Sequence, residues 1–113
     1  MDNKDVVVLK RILKEVIVIS DIIEGYDRNS FINDERTKRA VCMTLINIGE
    51  MVKLVSDDTK KCNPEIPWRS ISGLRDVTAH GYQTLRMSDV WETVITDVPI
   101  LHEQIKKLLL LGE

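Results

Sequence analysis

Apolar residues recur near the start of the chain in steps of three and four, the spacing that places side chains on one face of an α-helix. Over residues 5–24 they fall at Val6, Leu9, Leu13, Val16, Ile19 and Ile23. The segment does not alternate with a period of two, and it is too long for an ordinary strand. The pattern therefore predicts a first amphipathic helix, and Gly25 is a plausible residue to end it.

A second helix is predicted after a connector at residues 26–32. Asn33 or Asp34 can cap its start, because either side chain can accept a hydrogen bond from the first turn. The apolar spacing continues to about Ser56, and the polar residues 57–66 then predict a loop. Gly49 lies in the middle of this helix, where glycine lowers helix stability by about 1 kcal/mol relative to alanine. We therefore expect another backbone to approach closely there.

Two more helices complete the pattern. The third is predicted over residues 67–79, since Pro67 suits a first helical turn and Gly81 can supply the left-handed residue that closes the end. Ser88 is predicted to cap the fourth, a long apolar helix. Pro99 lies inside this last helix and is expected to kink or divide it.

Four helices with short connections predict one all-α domain spanning residues 1–113, arranged as an up-and-down four-helix bundle with a kinked or divided last helix. The composition agrees, with 43% hydrophobic and 30% charged residues. The net charge of −2 argues against an extended coat of bound nucleic acid, so any phosphate contact must come from a local cluster. No signal peptide or membrane span is indicated, and reduced Cys42 and Cys62 fit a cytoplasmic protein.

The segment from Arg75 to Tyr82 concentrates the chemistry of the chain. Arg75 is a permanent cation that fits a phosphate, and His80 can serve as acid or base near neutral pH. On a continuous helix these two side chains would point roughly 140° apart, at about 100° per residue. Either Gly81 ends the helix and redirects His80, or the cooperating residues come from two chains.

An arginine and a histidine suit metal-free cleavage of RNA, in which the 2′-OH attacks its own phosphate. That reaction needs a base, an acid and a cation, but this segment supplies only one histidine per chain. A symmetric dimer supplies two copies of His80 and of Arg75 at its axis. A ribonuclease built on this segment is therefore predicted to be a homodimer with composite sites, and no metal or cofactor is expected.

A purely structural interpretation remains open at each of these positions. A histidine near a helix end often interacts with the last carbonyls, and an arginine beside Asp76 is usually a surface ion pair. The other polar clusters give weaker signals. They are the basic residues at the start of the second helix, an aspartate pair and a lone histidine: Arg36, Lys38, Arg39, Asp57, Asp58 and His102. Glu50, next to the mid-helix glycine, is either a solvated carboxylate or a fixed partner across a helix–helix contact.

The order of these motifs resembles the HepT-like family of the HEPN superfamily. The central pattern is an arginine, four residues, a histidine, one residue and a tyrosine, at Arg75, His80 and Tyr82. The resemblance extends over most of the chain. It includes the motifs Ile48-Gly49-Glu50, Pro64-Glu65-Ile66-Pro67-Trp68, Gly73-Leu74-Arg75, Val90-Trp91 and Pro99-Ile100-Leu101.

The resemblance implies a dimeric helical bundle that acts as a metal-independent RNase toxin of a toxin–antitoxin pair. It implies that Arg75 and His80 are the catalytic pair, supported by Asp76, where the family more often has asparagine. It also implies that a cognate MntA-like minimal nucleotidyltransferase adds AMP to Tyr82. The alternatives are a non-catalytic module that binds a nucleotide or the nucleotidyltransferase, and a purely structural helical dimer.

Overall fold

The computed structural model describes residues 1–76 and 86–112, which are helical apart from short connections. The helices are α1 (Asn3–Ile22), α2 (Arg28–Ile32), α3 (Glu35–Val52), α4 (Asp57–Cys62), α5 (Trp68–Ser72), α6 (Met87–Glu92) and α7 (Val98–Gly112). A 3₁₀ turn (Gly73–Asp76) extends α5, and a π-helical turn (Thr93–Asp97) joins α6 to α7. The predicted all-α class is confirmed.

The first helix has the predicted character and well-defined ends. Asp2 caps α1 by accepting a hydrogen bond from the Asp5 amide at 2.8 Å. Just beyond its C-terminus Gly25 adopts a φ of +81°, a left-handed conformation that costs glycine nothing because it has no Cβ. The prediction that Gly25 ends the helix is confirmed.

Helix α3 begins at the second of the two predicted caps. Asp34 Oδ1 accepts a hydrogen bond from the Thr37 amide at 3.1 Å, and Asp34 Oδ2 accepts one from the Tyr26 hydroxyl at 2.6 Å. The Tyr26 hydroxyl in turn accepts a hydrogen bond from Thr37 at 3.0 Å. These bonds, with Tyr26 foremost, lower the pKa of Asp34 and fix the chain entering α3.

Two segments predicted as connections are short helices instead. In residues 26–32, Asp27 and Ser30 form a reciprocal capping box that starts α2. In residues 57–66, Ser56 caps α4 through its hydroxyl, so α3 ends at Val52 rather than near Ser56. The prediction relied on apolar periodicity, which helices of five or six residues are too short to display.

The predicted last helix is interrupted just before the proline, where the π-helical turn Thr93–Asp97 separates α6 from α7. Pro99 has no N–H to donate and its ring would crowd the carbonyl of Ile95, one α-turn earlier. The π turn Thr93–Asp97 comes directly before this region, and its wider hydrogen-bond spacing accommodates a residue that donates no backbone bond. The helical conformation then continues, with Val98 at φ −64° and ψ −44°. The start was also misplaced, because Arg86 rather than Ser88 occupies the N-cap position.

One hydrophobic core joins these elements. Helix α1 packs against α3 and α7, while α2 packs against α3 and α6. Helices α1 and α3 run antiparallel. Near the start of α1, Asp5 accepts a hydrogen bond from Ser56, which follows α3, and further along α1 Glu15 accepts one from Asn47 at 3.4 Å. The fully buried side chains include Phe31, Leu9, Ile12, Ile19, Leu45, Ile48, Ile66 and Ile105. Among the described helices, none is long and apolar enough to cross a membrane.

A carboxylate is buried within this core. Asp5 is only 1% exposed, and it accepts hydrogen bonds from the Ser56 amide at 2.9 Å and from the Ser56 and Thr59 hydroxyls at 2.5 Å each. Burial by itself would raise the pKa of Asp5, but the bonds from Ser56 and Thr59 together outweigh it and lower the pKa. The charged form of Asp5 therefore stabilises the contact between α1 and the start of α4.

Removing this charge is expected to destabilise the fold in a pH-dependent way. Asp5→Asn should lose about 2 kcal/mol of unfolding free energy at pH 7, the size of a buried hydrogen bond to a charged group. Since the folded pKa lies below the unfolded value of about 3.9, the wild-type advantage is full above that pH and shrinks as the pH falls below it. Thermal unfolding of Asp5→Asn between pH 2 and pH 7 measures this.

The exposed Asp21, on the same helix, provides the control. Asp21→Asn should unfold within about 0.5 kcal/mol of the wild type, as surface substitutions usually do. If Asp5→Asn is as stable as Asp21→Asn at pH 7, the buried carboxylate does not stabilise the fold.

Candidate active site

The segment that carries the candidate chemistry begins in the 3₁₀ turn that follows α5. The 3₁₀ turn Gly73–Asp76 holds Arg75 and Asp76, and of these two residues the structure describes the backbone alone. His80, Gly81 and Tyr82 lie outside the described residues. The structure therefore places the start of the predicted site and leaves the relation of Arg75 to His80 as a prediction.

The helix predicted over residues 67–79 is wrong over its described C-terminal part. The α-helical hydrogen bonding ends at Ser72, and Gly73 continues with φ −66° and ψ −17° into the 3₁₀ turn. A 3₁₀ turn advances about 120° per residue rather than 100°. The angle of roughly 140° between Arg75 and His80, which assumes an ideal α-helix, therefore does not apply.

Apolar contacts hold this segment against the bundle. Trp68 and Ile71 are buried and Leu74 is half-buried against the core. Both α5 and the 3₁₀ turn pack on α3. The indole Nε1 of Trp68 also donates a hydrogen bond to the carbonyl of Asn63 at 3.0 Å. The backbone that carries Arg75 is thus fixed from the core side.

The α3 residues in the Ile48-Gly49-Glu50 motif have different environments. Gly49 is buried, as expected for a glycine at a helix contact. Glu50 is exposed and forms no hydrogen bond with any described residue. The exposure of Glu50 agrees with the solvated interpretation.

The other polar clusters have structural explanations. Glu35 forms ion pairs with Lys38 at 3.1 Å and with Arg39 at 3.3 Å, so the basic residues at the start of α3 are partly neutralised. Asp57 and Asp58 occupy the first turn of α4, where the helix dipole favours negative charge. No group of three histidine, cysteine or acidic residues suited to a metal ion occurs in the described part of the chain.

The remaining histidine and both cysteines also lie in the described part. The Nδ1 atom of His102 lies 3.4 Å from Glu103 Oε1 on the flank of α7. Cys42 is buried, and burial raises the pKa of its thiol, whereas Cys62 is exposed. Both thiols are free, as predicted.

The cluster formed by Asp5, Ser56 and Thr59 is not predicted by the apolar pattern. A signal was available, because Asp5 stands four residues before Leu9 and therefore shares the buried face of α1. A charged residue on an apolar face requires buried partners. Its partners could not have been named, since they lie more than fifty residues away in sequence.

Comparison with known proteins places the chain in a family. The family model described as "Ribonuclease HepT-like" matches residues 12–108, which span the whole segment from Arg75 to Tyr82. The chain belongs to this family. The assignment confirms the predicted resemblance and the predicted class of enzyme, a ribonuclease.

Individual relatives agree with the HepT-like assignment. The chain is 34% identical over 103 residues to a Thermococcus cleftensis protein named "Probable ribonuclease HepT", covering 88% of this chain and 94% of the relative. It is 31% identical over 101 residues to a protein of Caldanaerobacter subterraneus provisionally named as an RNase, covering 89% and 90%. A Methanocaldococcus jannaschii protein with a similar provisional name is 32% identical over 110 residues, covering 96% and 91%. No solved structure gives a significant match.

Proposed function

We propose that this HepT-like protein is a metal-independent endoribonuclease and the toxin of a toxin–antitoxin pair. The observation that carries the proposal is the ordered set Arg75, His80 and Tyr82 inside a chain whose family match spans it. The relatives' names support ribonuclease chemistry. Arg75 and His80 form the catalytic pair, and Asp76 supports them as the polar residue directly after the arginine.

The reaction uses the RNA's own 2′-OH as the nucleophile. One His80 takes the proton from the 2′-OH, and the 2′-oxygen forms a bond to the adjacent phosphorus. The bond from phosphorus to the 5′-oxygen breaks, and a protonated His80 from the second protomer gives its proton to that oxygen. Arg75 neutralises the charge that builds up on the phosphate. The products are a 2′,3′-cyclic phosphate and a 5′-hydroxyl.

RNA cleavage by the purified protein in EDTA tests the proposal directly. Fragments ending in a 2′,3′-cyclic phosphate support it, and a substrate with 2′-deoxyribose at the scissile position should resist cleavage. A protein that binds a nucleotide or a nucleotidyltransferase but cleaves no RNA would instead be the non-catalytic helical module.

A homodimer is part of the proposal, because each chain supplies one His80. The apolar surface of the last helix supports it. The side chains of Ile100, Leu110 and Leu111 are 55%, 76% and 80% exposed. Helix α7 therefore carries more apolar residues than its contact with the core of one chain needs. An exposed apolar surface of this kind is suited to association with a second copy.

Mixing wild type with inactive subunits should reveal whether each site needs two histidines. After subunit exchange with an equal amount of His80→Ala, random pairing leaves about a quarter of the dimers with two intact His80 side chains. At the same total protein concentration, activity should therefore fall to about a quarter of that of the wild type rather than to a half. Cleavage rates across a series of mixing ratios measure this, with light scattering to verify the dimer.

A linear decline in the mixing series would contradict the composite site, since it would mean that each chain works alone. The matched control uses His102→Ala as the added subunit. His102 lies on α7 with Glu103 as its neighbour, so this mixture should keep full activity at every ratio.

A further inference from the structure

A chain of hydrogen bonds runs from α1 to the first residue of α5. Thr59 donates from its hydroxyl to Asp5 Oδ2 at 2.5 Å, and the side-chain Nδ2 of Asn63 donates to the Thr59 carbonyl at 2.9 Å. Trp68 Nε1 then donates to the Asn63 carbonyl at 3.0 Å. We call these four residues, Asp5, Thr59, Asn63 and Trp68, the strap.

The strap is shielded from water along most of its length. Asp5, Thr59 and Trp68 are 1%, 6% and 9% exposed. Hydrogen bonds in such surroundings are stronger than at the surface, and a broken one leaves a polar group unsatisfied in the core. The strap can therefore hold one geometry rather than several.

The connection between α4 and α5 is also held from the opposite side. Gln104 on α7 donates from Nε2 to the Glu65 carbonyl at 3.1 Å. The next residue, Ile66, is 2% exposed within the core. The backbone that enters α5 is thus tied to α1 by the strap and to α7 by Gln104.

The helical segment after Trp68 connects the strap to Arg75. From Trp68 to Asp76 the chain is helical throughout, first α and then 3₁₀, and the Gly73 amide bonds back to Arg69 and Ile71. Apolar packing of Ile71 and Leu74 fixes which face meets the core. The directed bond from Trp68 to Asn63 adds a second restraint on the register of this segment.

We propose that the strap positions Arg75 for catalysis, with Thr59 and Asn63 acting as positioning residues through Trp68. The inference rests on the proposed function, in which Arg75 neutralises the phosphate in the transition state. A displacement of about 1 Å at a catalytic group can cost on the order of 100-fold in rate. A loosened strap therefore lowers kcat while the protein stays folded.

Thr59 allows a matched pair of variants. Thr59→Val keeps the side-chain shape and removes the hydroxyl that reaches Asp5, whereas Thr59→Ser keeps the hydroxyl and removes the methyl group. At a temperature where circular dichroism shows both variants folded, Thr59→Val should lower kcat about 10-fold with KM changed less than about two-fold. Thr59→Ser should retain kcat within about two-fold. Equal kcat for wild type and Thr59→Val would overturn the proposal.

Backbone NMR gives a readout that does not depend on activity. Thr59→Val should shift the amide resonances of Gly73, Leu74 and Arg75, and Thr59→Ser should leave them in place. Shifts confined to α4 and its immediate neighbours would overturn the positioning role, even for a protein that cleaves no RNA. If Thr59→Val does not fold, Trp68→Phe replaces it, because it removes the N–H donor at the other end of the strap, and its kcat decides.

Failure of the inference can be told apart from failure of the proposed function. Loss of cleavage in Arg75→Ala together with unchanged kcat in Thr59→Val would retain the ribonuclease and reject the strap. Full activity in Arg75→Ala would reject the proposed catalytic pair, and the amide shifts would then test only whether the strap sets the backbone position of Arg75.

Discussion

His80→Ala is expected to reduce RNA cleavage in EDTA by at least about 100-fold, and by up to about 10,000-fold. A positioned acid or base contributes rate factors in this range, and the proposed composite site would use His80 in both roles. Because acid and base are lost together in the variant dimer, we expect an effect near the upper end. The measurement is single-turnover cleavage of a labelled RNA, with binding followed separately by fluorescence anisotropy.

The chain provides a control for the histidine chemistry. His102 is the only other histidine in the sequence, and it lies half-buried on α7 beside Glu103. His102→Ala should cleave at the wild-type rate, which separates loss of a particular imidazole from a general effect of the substitution. Metal-dependent cleavage that survives in His80→Ala would show that the proposed mechanism is incorrect.

The pH dependence of the wild-type rate adds a second criterion. An unperturbed imidazole titrates near pH 6.5. If one His80 acts unprotonated and the other protonated, the rate must fall at both low and high pH and give a bell-shaped profile. A rate that only rises with pH would mean that no protonated histidine takes part.

Arginine substitutions test the second member of the proposed catalytic pair. Arg75→Lys keeps the positive charge but loses the planar donors that fit a phosphate, so its rate should fall below that of the wild type. Arg69 is exposed on the preceding helix and serves as the matched control. Arg69→Lys should cleave at the wild-type rate.

The long helices could be predicted from sequence because apolar spacing is a local signal. Residues 5–24 show the period of α1 over several turns, and the left-handed Gly25 marks its end. The short helices α2 and α4 depend on their caps instead. Asp27 with Ser30 caps α2 and Ser56 with Thr59 caps α4, but a cap that no periodic segment follows does not distinguish a short helix from a loop.

The local geometry at the candidate site could not be predicted in the same way. The residue types from Gly73 to Asp76 do not distinguish an α-helix from a 3₁₀ turn. This turn packs on α3, and that contact is not visible in the local sequence. The buried hydrogen bonds of Asp5 also cannot be predicted from the apolar spacing, because they join residues that are distant in sequence. The candidate residues can be identified from a short stretch of sequence. The buried hydrogen bonds and helix contacts around that stretch depend on the tertiary fold.

Addition of AMP to Tyr82 is expected to abolish cleavage. The Tyr82 oxygen attacks the α-phosphorus of ATP, the phenolic proton is lost, and pyrophosphate leaves. The product is a phosphodiester whose negative charge lies seven residues from Arg75 in sequence. It would compete with the RNA phosphate for the arginine donors, and its bulk would obstruct the site. We expect a rate loss of the same order as in His80→Ala.

Mixing this protein with ATP and a cognate minimal nucleotidyltransferase tests that expectation. Intact mass should rise by whole AMP units while cleavage is lost, and Tyr82→Phe should keep its activity and gain no mass. Tyr26 is the only other tyrosine, and its hydroxyl is already bonded to Asp34 at 2.6 Å and to Thr37 at 3.0 Å. Tyr26→Phe should therefore still be modified and silenced. Modification that leaves the cleavage rate unchanged, or that persists in Tyr82→Phe, would rule out Tyr82 as the switch.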